Sequence, residues 1–387
     1  MIYLDNGATS YPKPKGMTLA MEECILKYCG NPGRSGHLMS MKTGEEVYHA
    51  RRKVAELFNI QHAERLIFTK NATEALNIGI HGVLKDGDHV ITTSMEHNSV
   101  LRPLKSLENS GVTQSIIRAD RQGCIKVSDI EKLISRKTKM IVVTAASNVT
   151  GTKMPIKEIG DLARKKGVIF MVDGSQGAGS MDLDIEKMKI DMLAFPGHKG
   201  LLGPLGTGAL YVDNNVKITT LIQGGTGTES KSRMQPLEFP EGFEAGTVNA
   251  PGIIGLGYSA EFIKKISTDV ISEYEETLMS ILDESFGNMD FIKTYGPKAS
   301  QRTGILLINV DNIPSEEVTT QLNNEYGIAV RGGYHCAGLA HKTIGTWDTG
   351  GVRISVGPFN TKSDMEKLTD AIWKIGSRQN ARNKVNY

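Results

Sequence analysis

The stretch from Val168 to Gly208 constrains the fold more than any other part of the chain. Val168-Ile169-Phe170-Met171-Val172 is an unbroken apolar run, the pattern of a strand covered on both faces. It ends in Asp173, followed by the turn-forming Gly174-Ser175-Gln176-Gly177-Ala178. A second apolar piece, Met192-Leu193-Ala194-Phe195, ends in Pro196-Gly197-His198-Lys199. Two buried strands therefore carry an Asp and a His-Lys pair to their carboxyl ends, where open α/β sheets collect ligands.

Other segments repeat the pattern. Leu66-Ile67-Phe68-Thr69 reads as a short strand. Asn71-Ala72-Thr73-Glu74 then opens a helix, with Asn71 and Glu74 spaced as an N-terminal capping pair. Such a junction leaves backbone N–H groups for a phosphate. A strand over 88–93 delivers Met95-Glu96-His97-Asn98, and one over 139–144 delivers Ser147-Asn148-Val149-Thr150-Gly151. Helical segments near 128–136 and 156–166 alternate with these strands, and Ala209-Leu210-Tyr211-Val212 closes the region. The alternation predicts a mostly parallel sheet with helices on both faces.

Residues 1–12 are rich in turn formers, and 15–28 and 40–59 read as helices. Gly30-Asn31-Pro32-Gly33-Arg34-Ser35-Gly36-His37 between them is a loop by its Gly and Pro content. A second loop-rich segment covers 223–251 and contains Phe243-Glu244-Ala245-Gly246-Thr247. One long helix is expected over 252–286. Strands at 304–310, 327–331 and 351–356 then mix with helices at 315–324 and 362–376, a smaller α+β region. The polar tail after Arg378 is expected to be loose. At 387 residues, two units are the natural division: a large one over 15–255, and a small one from 1–14 with 256–387.

Bulk composition removes several classes of function. A net charge of +2 gives no nucleic-acid footprint. No apolar run reaches the ~18–20 residues that a membrane span needs. Met1–Asn6 shows neither the basic nor the apolar part of a signal peptide, so a cytoplasmic protein is expected. Four cysteines in a chain of this length do not make a secreted disulfide framework. Cys24 and Cys29 have no companion cluster and are expected to pack rather than bind metal; no metal site is expected.

A Lys and an Asp at neighbouring strand ends are what a pyridoxal phosphate (PLP) site needs. The Lys supplies an amine for a Schiff base, and the Asp keeps the pyridine nitrogen protonated, so that the ring withdraws electrons. One Lys among 45 basic residues is ordinarily a solvated surface group. Lys199, however, follows a buried strand and lies between glycines.

Residues 71–77 (Asn-Ala-Thr-Glu-Ala-Leu-Asn), Glu96-His97, Ser147-Asn148, Asp173-x-x-Gln176 and Gly197-His198-Lys199, in that order, resemble the class V aminotransferase branch of fold-type I PLP enzymes. Arg331-Gly332-Gly333-Tyr334-His335-Cys336-Ala337, followed by Val352-Arg353-Ile354-Ser355, narrows the resemblance to group II cysteine desulfurases and selenocysteine lyases. It implies a seven-stranded, mostly parallel sheet sandwiched by helices, plus a smaller α+β C-terminal domain, in a homodimer. It also implies roles. Lys199 would hold PLP, Asp173 would pair with its ring nitrogen, and His97 would stack on the ring. Asn148 and Gln176 would meet the ring oxygen. Ala72, Thr73 and His198 would hold the phosphate, joined by Thr247 from the neighbouring subunit. Arg353, with Asn148 and Arg331, would bind the substrate carboxylate. Cys336 would be the nucleophile that takes sulfur from L-cysteine and releases alanine.

Cys336 follows Arg331 and His335 in a Gly-rich loop, a basic setting that favours thiolate. Each residue also has a plainer reading: a hydrogen-bonded loop histidine, a structural Arg–carboxylate pair, a small buried thiol. The chain departs from the family at Pro196, where a Ser or Thr usually offers the phosphate a hydroxyl. Selenocysteine lyase, another class V enzyme, and a catalytically silent PLP-fold scaffold are the competing functions. Cys336 argues against plain transamination, which needs no thiol. A sulfur-acceptor protein is a further expected partner.

Overall fold

The structure, a computed structural model, describes residues 1–33 and 35–385, with side chains described through Arg378. Arg34 of the first glycine-rich loop lies outside the described residues. The chain begins with β1 (Ile2–Tyr3), α1 (Lys15–Glu23), α2 (Leu38–Leu57), β2 (Leu66–Thr69), α3 (Ala72–Val83) and β3 (His89–Thr93). It continues with α4 (Asn98–Leu107), β4 (Thr113–Ile117), α5 (Val127–Leu133), β5 (Thr138–Thr144), α6 (Ile156–Lys166), β6 (Ile169–Asp173), β7 (Met192–Pro196) and β8 (Gly208–Val212). After the long loop come α7 (Ala250–Ile266), α8 (Thr268–Gly287), β9 (Ile292–Tyr295), β10 (Ile305–Val310) and α9 (Ser315–Tyr326). β11 (Ile328–Ala329), α10 (Gly338–Ile344), β12 (Val352–Ser355) and α11 (Lys362–Val385) complete it.

The main sheet has seven strands in the order β2-β8-β7-β6-β5-β3-β4. β4, β3, β5, β6 and β7 run parallel; β8 is antiparallel to both β7 and β2. The expected mostly parallel seven-stranded sheet is therefore present. Its two faces carry separate apolar layers. Ile91, Ile141, Val143, Phe170, Val172, Leu193 and Phe195 point into one, and Val90, Met140, Val142, Met171, Met192 and Ala194 into the other. Alternate residues of one apolar run thus enter opposite cores, which is why these strands lack polar positions.

The smaller region builds a three-stranded antiparallel sheet, β12-β10-β9, backed by α8, α9 and α11 around Leu278, Leu306, Ile308, Leu322, Ile354, Leu368 and Ile372. Leu4 joins this core, and β1 pairs with β11, so the N-terminus belongs with the C-terminal region in space.

Several elements differ from expectation. The long helix over 252–286 is two helices broken at Ser267, whose backbone is left-handed (φ 81°) and whose hydroxyl caps the Asp269 N–H at 3.2 Å. α7 joins the large sheet's core through Ile253, Leu256, Ala260 and Ile263, while its Phe262 stacks on Phe359 of the smaller region at 6.3 Å. The helix over 15–28 ends in a π-helical turn, Cys24–Tyr28. The tail expected to be loose continues α11 to Val385. β4 and β9 are edge strands with exposed polar positions, so they carry no apolar run to reveal them. No helix among the described residues is long and apolar enough to cross a membrane.

Candidate active site

The carboxyl ends of β3, β5, β6 and β7 and the start of α3 enclose one cavity. Ala72, Thr73, His97, Asn148, Asp173, Gln176, His198 and Lys199 all line it. These positions span more than 120 residues of sequence and meet because parallel strands end on the same side.

Lys199 is only half-buried by surface because it borders the cavity, yet dense protein surrounds its amine. Burial pulls its pKa down to about 8; Asp173 opposes this, and Arg353 and Arg331 reinforce it. With that value, roughly a tenth of the amines are neutral at pH 7, against about three in ten thousand for an ordinary lysine. Asp173, the last residue of β6, is 2% exposed, and its carboxylate accepts the Ser175 N–H at 2.9 Å. His97 caps α4: its Nδ1 accepts the Ser99 N–H at 3.0 Å. The proton of a neutral His97 therefore sits on Nε2. Burial lowers the His97 pKa, against Asp173 and with Lys199, Arg331 and Arg102.

At the α3 start, the Asn71 side chain takes the Glu74 N–H at 3.0 Å, leaving the Ala72 and Thr73 N–H groups at the cavity. Thr73 Oγ1 lies 2.8 Å from Ser99 Oγ. His198 Nδ1 is buried without a hydrogen-bond partner among the described residues, and burial drives its pKa down to about 4. An orphaned nitrogen, two helix-start N–H groups and a cluster of hydroxyls form a donor set that suits a phosphate. The buried amine beside a buried carboxylate suits the rest of PLP. Pro196 borders the same cavity and offers no hydroxyl, but Ser99 and Ser175, neither singled out in the sequence, line it too.

Asn148 joins this cavity to the C-terminal region. Its Nδ2 donates to the His335 carbonyl at 2.6 Å, and its own carbonyl accepts Arg353 Nη1 at 3.1 Å. Arg353 is 1% exposed and also binds Asp5 at 2.8 Å, while its Nε is buried without a hydrogen-bond partner among the described residues. The plainer reading, a structural Arg–carboxylate pair, thus describes part of this guanidinium. Arg331 and Arg353 exchange backbone hydrogen bonds of 3.2 and 2.8 Å. Gln176 donates its amide to the Gly7 carbonyl at 2.9 Å, so that group is already engaged.

Besides Arg331 and Arg353, Cys336 and Thr247 also stand apart from the cavity wall. Cys336 is exposed, on a loop anchored by the hydrogen bond from Asn98 N to its carbonyl at 2.9 Å. His335 and Cys336 both have left-handed backbones (φ 52° and 56°), which costs on the order of 1–3 kcal/mol each for non-glycine residues. His335 corrects the sequence reading: it is buried and its pKa is driven down to about 3, so it brings no positive charge to Cys336. The cause is first its burial, then the neighbouring Arg353. Thr247 is exposed and borders a different groove with Thr69, Lys70 and Phe243. Its loop is pinned by the buried Arg51–Glu244 pair, with 2.6 and 2.9 Å contacts, and by Phe68 N on Glu244 at 2.6 Å.

Glu96 had no expected role, yet it is fully buried, directly before His97 in the chain. It accepts the Thr93 hydroxyl at 2.6 Å, and burial pushes its pKa up to about 8. A charged residue directly before a His just beyond an apolar strand was the available signal.

These features fit a fold-type I PLP enzyme, and the family description "Aminotransferase class-V" matches residues 2–368. The chain belongs to the class V aminotransferase family. It is 35% identical over 380 residues to a "Probable cysteine desulfurase" of Methanothermobacter thermautotrophicus, covering 97% of this chain and 94% of the relative. It is 36% identical over 384 residues to one of Pyrococcus abyssi, with coverages of 97% and 94%. The apo structure of the Thermococcus onnurineus cysteine desulfurase superposes with a TM-score of 0.92 at 33% identity, covering 97% of this chain and 94% of that one.

Proposed function

We propose that this enzyme is a PLP-dependent cysteine desulfurase, converting L-cysteine to L-alanine and transferring the sulfur to Cys336. The observation that carries this is the buried, low-pKa amine of Lys199 beside Asp173, joined through Asn148 to the loop that presents Cys336.

When bound, PLP supplies a carbonyl for amines and a ring that accepts electrons from the substrate. Ala72 and Thr73 N–H groups and His198 would hold its phosphate, with Thr247 contributed across a homodimer. Asp173 would hold a proton at the ring nitrogen. His97 would pack on the ring face, and Asn148 and Gln176 would meet the ring oxygen. Arg353, with Arg331, would bind the substrate carboxylate, for which its guanidinium fork is suited. Lys199, with a substantial neutral fraction near neutrality, takes the α-proton and returns protons to the carbon skeleton. Cys336 Sγ forms an S–S bond to the substrate sulfur as the substrate's Cβ–S bond breaks, leaving a persulfide on the enzyme and, after protonation, alanine.

We place the enzyme in the cytoplasm, passing sulfur to an acceptor protein. We also propose that the chain forms two units, with the boundary at Ser267 rather than near residue 255, since Ile253, Leu256, Ala260 and Ile263 of α7 share the core of the large sheet. The test of function is alanine and sulfide released per active site from L-cysteine with a reductant. A keto acid as product, or turnover confined to selenocysteine, overturns the reading.

A further inference from the structure

Beneath the Cys336 loop lies a chain of three side chains that the reaction does not use. His335 is 3% exposed, and His341 and Thr346 are 0%. His335 Nε2 lies 3.0 Å from the Arg331 carbonyl, His335 Nδ1 lies 3.3 Å from His341 Nε2, and His341 Nδ1 lies 2.7 Å from Thr346 Oγ1. The direction of these bonds follows from chemistry. A carbonyl only accepts, so the His335 proton is on Nε2. Its Nδ1 is then bare and accepts the His341 Nε2–H. His341 Nδ1 is bare in turn and accepts the Thr346 hydroxyl proton. Both rings must be neutral for this order, and burial holds them so, with pKa values down to about 3 and 4.

The chain ends at the strained segment. His335 and Cys336 are consecutive left-handed residues without glycine's freedom. Asn148 and Asn98 bind the two carbonyls from above, and the His335 ring is the anchor from below. Tyr334 closes the side: its ring meets His341 edge-on at 5.3 Å, and its hydroxyl donates to the Trp347 carbonyl at 2.8 Å. An apolar side chain would fill the space under His335 but would leave His335 Nδ1 buried and unpaired.

We propose that His341 is a positioning residue for Cys336, acting through His335 to hold the left-handed pair that presents the thiol. The proposal rests on the desulfurase reading for its consequence in turnover, but not for the geometry of the thiol.

The test compares wild type, His341→Phe and His341→Gln. Phe keeps the volume without the donor; the Gln amide restores an N–H toward His335. In cofactor-free protein, the rate of iodoacetamide labelling at Cys336 is read by mass spectrometry. In PLP-loaded protein, kcat and KM for alanine formation from L-cysteine are measured. We expect Phe to shift the labelling rate at least about threefold and to lower kcat about tenfold or more, as misplacement of a reacting group does, with KM and PLP retention unchanged. Gln should return both values toward wild type. If Phe is insoluble, His341→Leu carries the same comparison against Gln, since it also removes the N–H toward His335.

Wild-type labelling and kcat in the Phe variant would overturn the proposal. So would losses shared equally with PLP retention and melting temperature and not rescued by Gln, since these mark a merely structural role. Should wild type release no alanine, the desulfurase reading fails, while the labelling comparison still decides the role of His341.

Discussion

The cavity around Lys199 and the loop that carries Cys336 are built in opposite ways. The cavity wall stands at and just beyond the ends of main-sheet strands and at the starts of α3 and α4. Cys336 hangs on an exposed, left-handed turn held by side-chain hydrogen bonds from Asn148 and the buried histidines. A cofactor must be held still, and a site on rigid elements does this. A persulfide has to be formed inside and then surrendered outside, which suits a thiol on a loop. The contrast predicts that damage to the wall removes all chemistry, whereas damage to the loop removes only sulfur transfer.

The largest effect should come from Lys199→Ala. Turnover should fall by about a thousandfold or more, since Lys199 is the one lysine among the described residues that line the cavity. Full activity together with a borohydride-reducible PLP adduct in that variant would refute the assignment. Cys336→Ser should nearly match it in alanine release while keeping PLP and the absorbance change on adding L-cysteine, because a serine hydroxyl cannot form a persulfide. If this variant makes alanine at the wild-type rate, the two regions are not functionally coupled and Cys336 is a bystander.

The third test is pH. The neutral Lys199 amine gains as pH rises through its folded value near 8, so capture of PLP by cofactor-free protein should accelerate about 90-fold between pH 6 and pH 9. A flat profile would mean that the amine is not the reacting group. Asn148→Ala cuts the bond between wall and loop, leaving the His335 carbonyl without its donor at a cost of about 1–3 kcal/mol. Alanine formation should drop roughly tenfold with smaller loss of PLP; an unchanged kcat would show that the loop needs no tether. The smallest effect is expected of Pro196→Ser. One added hydroxyl should tighten PLP by no more than about tenfold, because Thr73, Ser99 and Ser175 already offer theirs. Equal or weaker retention on dialysis would show that the Pro is accommodated in full.

Legibility in the sequence followed the same division. The strand-end residues were readable because a buried strand is an apolar run, and whatever polar residue follows it stands at the sheet's edge. Asp173, His97 and Lys199 each sit just beyond such a run. Edge strands β4 and β9 were not readable, being half-exposed and polar. The break at Ser267 was within reach, since Ser followed by Thr-Asp is a helix-start pattern. The state of His335 was not. Its neighbours in sequence suggested a basic patch, but its charge depends on burial and on Arg353, which come from elsewhere in the fold.

By itself, the sequence determined the class of fold and the residues at its strand ends, because hydrophobic period and punctuation are local properties that the chain carries unaided. Tertiary structure alone decided that Asn148 ties the cavity to the Cys336 loop, that Asp5 shares Arg353, and that His341 and Thr346 underlie His335. It also set the protonation states of Lys199 and His335. Those facts rest on distances and desolvation between residues far apart in the chain, and no linear pattern encodes either.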